Sequence, residues 1–149
     1  MEYFLTPEQQ MIRDSAREYA QQHLLPGVIE RDLHGLWPKE QIAQMGELGF
    51  MGMMVDPKWG GSGLDSMSYV LAMEEISKID ASASVIMSVN NSLVCWGLEK
   101  FGSEAQKEKY LPGLATGKLL GAFCLSEPEA GSDASSQKTK AEDKGDHYL

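Results

Sequence analysis

Cysteine is scarce in this chain. Cys95 and Cys124 are the only two among 149 residues, widely separated and each in an apolar stretch. That pattern suits buried free thiols and argues against a disulfide framework or a cysteine-built metal site, so a reducing compartment is expected. Long apolar runs are missing as well: no stretch of about 18 apolar residues is present to cross a bilayer. The opening MEYFLTPEQQ lacks the basic start and apolar run of a signal peptide, so the expectation is a soluble intracellular protein. Positive charge is in short supply, with 13 Lys and Arg against 22 Asp and Glu, a net charge of -9 and a pI near 4.7. No segment gathers the basic residues, which makes nucleic acid and anionic membrane surfaces poor partners. The rest of the composition, 42% hydrophobic and 23% charged, is that of an ordinary globular protein. This length makes one domain with a core, or one domain and a piece of another.

Helical signals fill the first three quarters. Thr6-Pro7-Glu8-Gln9 combines a capping threonine, a proline suited to the first turn and a capping-box glutamine. Met11, Ile12, Ala16, Tyr19 and Ala20 then recur at helical spacing, predicting a helix to about Leu24, ahead of Pro26. A second, short helix starts near Trp37-Pro38, carries Ile42, Ala43 and Met45, and ends at Gly46 or Gly49. Residues 48–63, LGFMGMMVDPKWGGSG, read as a tight connection with methionines as core filler. As a phosphate cradle GGSG fails, because no strand precedes it and no Lys-Ser/Thr follows. Residues 66–79 outline a third helix on which Glu74 and Glu75 point in different directions, a poor arrangement for a catalytic pair.

Residues 81–101, ASASVIMSVNNSLVCWGLEKF, predict a long and largely apolar helix that belongs in the middle of a bundle or against another domain. Its polar interruption, Ser88, Asn90, Asn91 and Ser92, has two readings: groups satisfied by neighbouring backbone, or groups lining a ligand. Gly102 can end this helix, and Ser103-Glu104-Ala105-Gln106 is a second capping box, opening a helix that Pro112 would bend or shorten near its end. The pattern then changes. Residues 118–125, KLLGAFCL, predict a buried strand, and residues 137–149 alternate before turning at Lys144-Gly145. A lone hairpin is marginal in water, so the chain reads as a helical domain followed by the opening strands of an incomplete β region.

Where these parts meet stands FCLSEPEAGSDAS, residues 123–135. Pro128 and Gly131 make a turn, and Ser126, Ser132 and Asp133 offer hydroxyls, backbone N–H groups and a carboxylate at its rim. Such a rim could hydrogen-bond a planar heterocycle or a phosphate-bearing tail; a plain surface turn is the competing reading.

The run LSEPEAGSDASS, residues 125–136, resembles a signature of the acyl-CoA dehydrogenase family: Ser/Thr-Glu, two residues, a small residue, Gly-Ser/Thr-Asp. The opening LTPEQQMIRDSAREYA, the segment LGFMGMMVDPKWGGSGLD and the pair FGSEAQKEKYLPGLATGK are similar to the family in the same order, so the resemblance covers essentially the whole chain. IMSVNNSL, residues 86–93, is most similar to short-chain, butyryl-CoA members. Glu129 departs from the pattern, standing where many relatives carry a smaller residue.

The resemblance implies a mainly α chain: an all-helical N-terminal domain over 1–117, then the first strands of a truncated middle β domain over 118–149. It implies FAD as cofactor, held through Phe123, Cys124, Leu125, Ser126, Glu127, Ala130, Gly131 and Ser132, with Leu125 and Ser126 at the pyrimidine edge of the ring. Hydrogen bonds at that edge would favour the reduced, anionic ring by preorganised charge stabilisation. Acyl-CoA would be met by Ser132 and by Met87, Asn90 and Leu93. The implied reaction is α,β-dehydrogenation to a trans-2-enoyl-CoA, with electrons leaving through an electron-transfer flavoprotein. A homotetramer in a bacterial cytoplasm or a mitochondrial matrix is implied for the full-length protein. The family's base is a glutamate from the C-terminal part, and none of Glu74, Glu75, Glu127 and Glu129 matches it, so no catalytic residue is assigned and this chain by itself is expected to be inactive. Two other readings stay open: an oxygen-using acyl-CoA oxidase or flavin monooxygenase of the same superfamily, and a non-catalytic helical interaction module.

Overall fold

A computed structural model describes residues 4–149, and it is helical from Pro7 to Ala115. Helix α1 (Pro7–Tyr19) opens on the expected capping box, with Thr6 and Gln9 each bonding the other's backbone N–H. It continues as a π-helical turn over Ala20–Leu24, which the periodicity did not indicate. Helix α2 (Val28–His34), bracketed by Gly27 and Gly35 at positive φ, was not predicted. It buries no side chain, so it leaves no apolar stripe to read. Arg31 fastens it, donating to the Pro26 and Leu24 carbonyls and to the Asp80 carboxylate.

Helix α3 (Lys39–Glu47) leads into a connection whose methionines pack as expected: Met51 and Met53 are fully buried. Bonds from Ser62 N–H to Gly52 O, Gly63 N–H to Val55 O and Leu64 N–H to Met53 O close this loop on itself. Helix α4 (Ser66–Ser77), capped by Asp65, packs along α1. Across that contact the buried Glu75 carboxylate receives Arg17 Nε and Nη2, each at 3.0 Å, and Lys78 Nζ at 2.9 Å. Ala16, Tyr19, Leu24, Met45, Ile76 and Met87 belong to the larger core cluster.

Helix α5 (Ala81–Ser88) does not run unbroken to Phe101. It widens into a π-helical segment over Val89–Cys95 before α6 (Trp96–Phe101). Helix α7 (Glu104–Ala115) starts on the predicted Ser103–Gln106 capping box and runs through Pro112 to Ala115, so the proline does not shorten it. Leu111, Leu114 and Ala115 join Val55 and Cys95 in a second, smaller core cluster. Gly52 lies so near α7 that a Cβ there would come within 2.7 Å of the Ala115 backbone.

Beyond Gly117 the expected strands are not formed among the described residues. Only two isolated bridges occur, Glu127 with Ala130 and Asp143 with Tyr148. A strand persists as a rung of a ladder, and 118–125 has no second segment alongside to pair with. Leu119, Leu120, Phe123 and Leu125 are therefore 41–54% exposed, where a buried strand was predicted. Cys124 is likewise exposed, against the expectation of a buried thiol, while Cys95 is buried as anticipated. The turn at Lys144-Gly145 does form, closed by Lys144 N–H to His147 O with Gly145 at φ 95°.

Candidate functional site

The π-helical segment sets the floor of the site. Its wider bonding, five residues along the chain rather than four, resets the register so that two consecutive amides point inward. Asn90 and Asn91 are 0% and 2% exposed. Left unpaired, each would cost about 1–3 kcal/mol, yet both are saturated. Asn91 Nδ2 donates to the Phe50 and Met87 carbonyls, and its Oδ1 accepts from Met53 N–H. Asn90 Nδ2 donates to the Met51 and Leu114 carbonyls, and its Oδ1 accepts from Gly121 N–H at 3.0 Å. Ser92 donates to the Ser88 carbonyl. Of the two readings open for the polar interruption, backbone satisfaction accounts for these bonds.

Gly121 carries the chain out of α7 and across this floor. It packs so tightly on Val94 that a Cβ would lie 2.6 Å from Val94 Cγ1. After it the N–H groups of Ala122, Phe123, Cys124, Leu125 and Ser126 find no partner within the chain, among the described residues. These five residues are exposed, and the ring of Phe123 and the branch of Leu125 lie half-exposed among them.

Downstream the loop is tightly braced. Pro128 sits in a turn closed by Ala130 N–H to Glu127 O at 3.2 Å, and Ala130 is buried. The Glu127 carboxylate accepts the N–H groups of Lys138 and Thr139; the Thr139 side chain foremost, then the Lys138 N–H, holds its carboxyl below the usual range. Gln137 Nε2 reaches the Leu125 carbonyl at 2.7 Å. Asp133 accepts from Ser135 N–H and from the Ser135 and Ser136 hydroxyls, and those bonds lower its carboxyl, the Ser135 hydroxyl foremost. Ser126 and Ser132 are exposed with no bond from their hydroxyls, and the Gly131 backbone is open to any approaching group.

Of the residues marked from sequence, Phe123–Ser126 form the donor row, Glu127 and Ala130 brace the turn, and Gly131 and Ser132 stand at its open rim. Asn90 is tied to this segment through Gly121. Met87 is wholly inside the helical core, and Leu93 is 43% exposed on the same helix. Gly121, Gln137 and the bracing role of Glu127 were not anticipated. A glycine inside an apolar run is the usual mark of close backbone approach, and Gly121 carried that signal; nothing local marked Gln137. A groove of about 890 Å³ between α2 and the start of α5, lined by Ile29, Leu33, Trp37 and Val85, contains none of the loop residues. No group of three or more His, Cys, Asp or Glu suited to a metal ion occurs among the described residues. Neither is any helix there long and apolar enough to cross a membrane.

The helical bundle thus ends in a braced loop whose backbone N–H groups at 122–126 have no partner among the described residues. Residues 6–118 match the family described as acyl-CoA dehydrogenase, N-terminal domain, and the chain belongs to the acyl-CoA dehydrogenase family. It is 40% identical over 149 residues to a short-chain specific acyl-CoA dehydrogenase of Clostridium acetobutylicum, covering all of this chain and 39% of that protein. It superposes on butyryl-CoA dehydrogenase from Megasphaera elsdenii with a TM-score of 0.87 at 44% identity, over 95% of this chain and 38% of the other. A chain in a structure titled for the electron transferring flavoprotein of Acidaminococcus fermentans and flavin-based electron bifurcation superposes at 0.95 with 48% identity, over 100% and 39%. The chain thus spans 39% of the length of the Clostridium relative.

Proposed function

We propose that this chain is the N-terminal part of a flavin-dependent short-chain acyl-CoA dehydrogenase, comprising a helical domain over 1–117 and the beginning of a middle domain over 118–149. The full-length enzyme would take a short acyl-CoA to its trans-2-enoyl-CoA. The observation that carries this reading is the unpaired donor row of 122–126 on a loop that matches the family signature. That row fits the edge of FAD: backbone N–H groups for ring oxygens and nitrogens, Phe123 and Leu125 as apolar flanks, and free hydroxyls at Ser126 and Ser132. A bound FAD would supply the acceptor for the hydride that leaves the substrate β-carbon.

The chain's own part in the chemistry is binding and orientation. Backbone donors held against one edge of the ring would stabilise charge there without reorganising during the reaction. Ser132, exposed at the rim, would meet the CoA portion of the substrate; Leu93, half-exposed, would line the acyl wall, with the buried Met87 and Asn90 behind it. Glu75 is held by Arg17 and Lys78, and Glu127 by two backbone N–H groups. The family resemblance assigns the base to a glutamate in another part of the full-length enzyme, and neither Glu74 nor Glu129 matches it. The names of the relatives support an electron-transferring flavoprotein as the electron acceptor, and the family resemblance supports a homotetramer. A bacterial cytoplasm or a mitochondrial matrix suits such an enzyme.

The test is to purify the full-length protein, measure its flavin content and add butyryl-CoA without air. Stoichiometric FAD whose visible absorption is bleached by butyryl-CoA, and not by a long-chain acyl-CoA, is the expected result. Absence of bound flavin, or flavin that no acyl-CoA bleaches, would overturn the reading. Rapid recolouring in air would move it to an oxidase.

A further inference from the structure

Asn90 occupies an unusual junction. A primary amide has two donor hydrogens and one acceptor oxygen, and in Asn90 each is committed to a different piece of the chain. Nδ2 reaches Met51 O at 2.8 Å, within the Met-rich connection, and Leu114 O at 3.0 Å, at the end of α7. Oδ1 receives Gly121 N–H at 3.0 Å. The side chain is completely buried, so no water competes for these partners.

From the structure we infer that Asn90 is a positioning residue for the flavin-facing loop: it holds residues 119–125 at a fixed depth on the helical domain and thereby places the donor row of 122–126. This rests on the flavin reading above. The bond to Gly121 is the last tie made by a backbone donor before the turn at Glu127, because the five N–H groups between them bond nothing in the chain among the described residues. The Leu119 N–H bond to Gly113 O closes the end of α7 and does not reach the row. When the Asn90–Gly121 bond is lost, the upstream end of the row loses its tie and can shift by the fraction of an ångström that separates a good hydrogen bond from a poor one, while Gln137 still holds the Leu125 carbonyl.

Asn91 supplies the control. It is the next residue, equally buried and equally saturated, but its partners, Phe50, Met87 and Met53, all lie within the helical core. A merely structural role predicts the same consequences for both amides; a positioning role predicts that they differ.

The experiment compares full-length wild type, Asn90→Leu and Asn91→Leu by hydrogen exchange at 119–126, by FAD dissociation constant from fluorescence quenching, and by the shape of the bound flavin's visible band. Both variants are expected to lose stability. Asn90→Leu raises exchange at the Gly121 amide, weakens FAD about tenfold and broadens the flavin band, the loss of one buried hydrogen bond read as affinity. Asn91→Leu leaves exchange at Gly121 and the flavin band as in wild type. Equal flavin and exchange effects in the two variants would overturn the inference. Where Asn90→Leu does not fold, Asn90→Asp serves: its oxygen still accepts from Gly121, so exchange at the Gly121 amide stays low while the region around Met51 and Leu114 opens, and the reverse pattern would overturn it. A wild type that binds no FAD defeats the flavin reading alone, since exchange at the Gly121 amide in Asn90→Leu still decides whether Asn90 holds the segment.

Discussion

Replacing Gly121 by alanine is the sharpest perturbation of the loop that leaves every hydrogen-bonding group in place. The added Cβ would lie 2.6 Å from Val94 Cγ1 and 2.7 Å from both Cβ and Cγ2, against about 3.5–4.0 Å for a comfortable carbon contact. Val94 cannot recede easily, because its helical segment is pinned by the amides of Asn90 and Asn91. The segment 119–122 must therefore lift by about 1 Å, which also breaks the 3.0 Å bond from Gly121 N–H to Asn90. Overpacking of this kind costs about 1–3 kcal/mol and the lost bond about 1 kcal/mol. Partial release of an exposed segment limits the total, so a loss of about 2 kcal/mol is expected. Val94→Ala removes two of the three clashing carbons and alone costs about 1 kcal/mol, since Val94 is half-buried. The double variant should then be more stable than the sum of the singles by about 1 kcal/mol. Urea denaturation of the four proteins measures this coupling, and hydrogen exchange at the Gly121 amide reports whether the loop returns. Additivity within about 0.5 kcal/mol, or a neutral Gly121→Ala, would refute the close approach.

Two further expectations concern titrating groups. A thiol reagent should label Cys124 at once and Cys95 only on unfolding; burial, reinforced by Glu99, pushes the Cys95 thiol up to about 12 from 9.0. A folded value raised in this way leaves stability intact below pH 9 and lowers it as pH climbs towards about 12, a slope that Cys95→Ala should flatten. At the acid end, Arg17 above all, with Lys78, holds the Glu75 carboxyl below its ordinary 4.5 against the opposing effect of burial. That contribution is present above pH 4.5 and disappears as pH falls through the lower folded value, so Glu75→Gln should shallow the acid limb of a stability profile; an unchanged limb would show that the pair adds nothing.

Local signals were legible, and those that depend on a distant partner were not. Both capping boxes form as read, because Thr6 with Gln9 and Ser103 with Gln106 are closed within four residues of chain. Helix α2 escaped because Arg31 holds it by carbonyls before the helix and by Asp80 far along the chain, leaving no apolar period. The strand predicted over 118–125 has the right residues, but a strand needs a neighbour, and its Gly121 donor is taken by a side chain. Cys124 is exposed for the same reason: with no sheet to cover it, apolar neighbours in sequence do not bury a residue in space.

The polar interruption of the long helix shows the limit most clearly. Two adjacent asparagines on a regular α-helix point about 100° apart, so a helical reading can bury one amide easily and the second only at a cost. The π-helical register removes that conflict by bringing both inward, and it does so where four carbonyls and two N–H groups from four other parts of the fold converge to receive them. Composition announces that such a stretch is unusual; only the partners decide whether it binds a ligand or carries the loop that does. In this chain the amides are consumed by the fold, and through Gly121 one of them reaches the segment whose donors are left free.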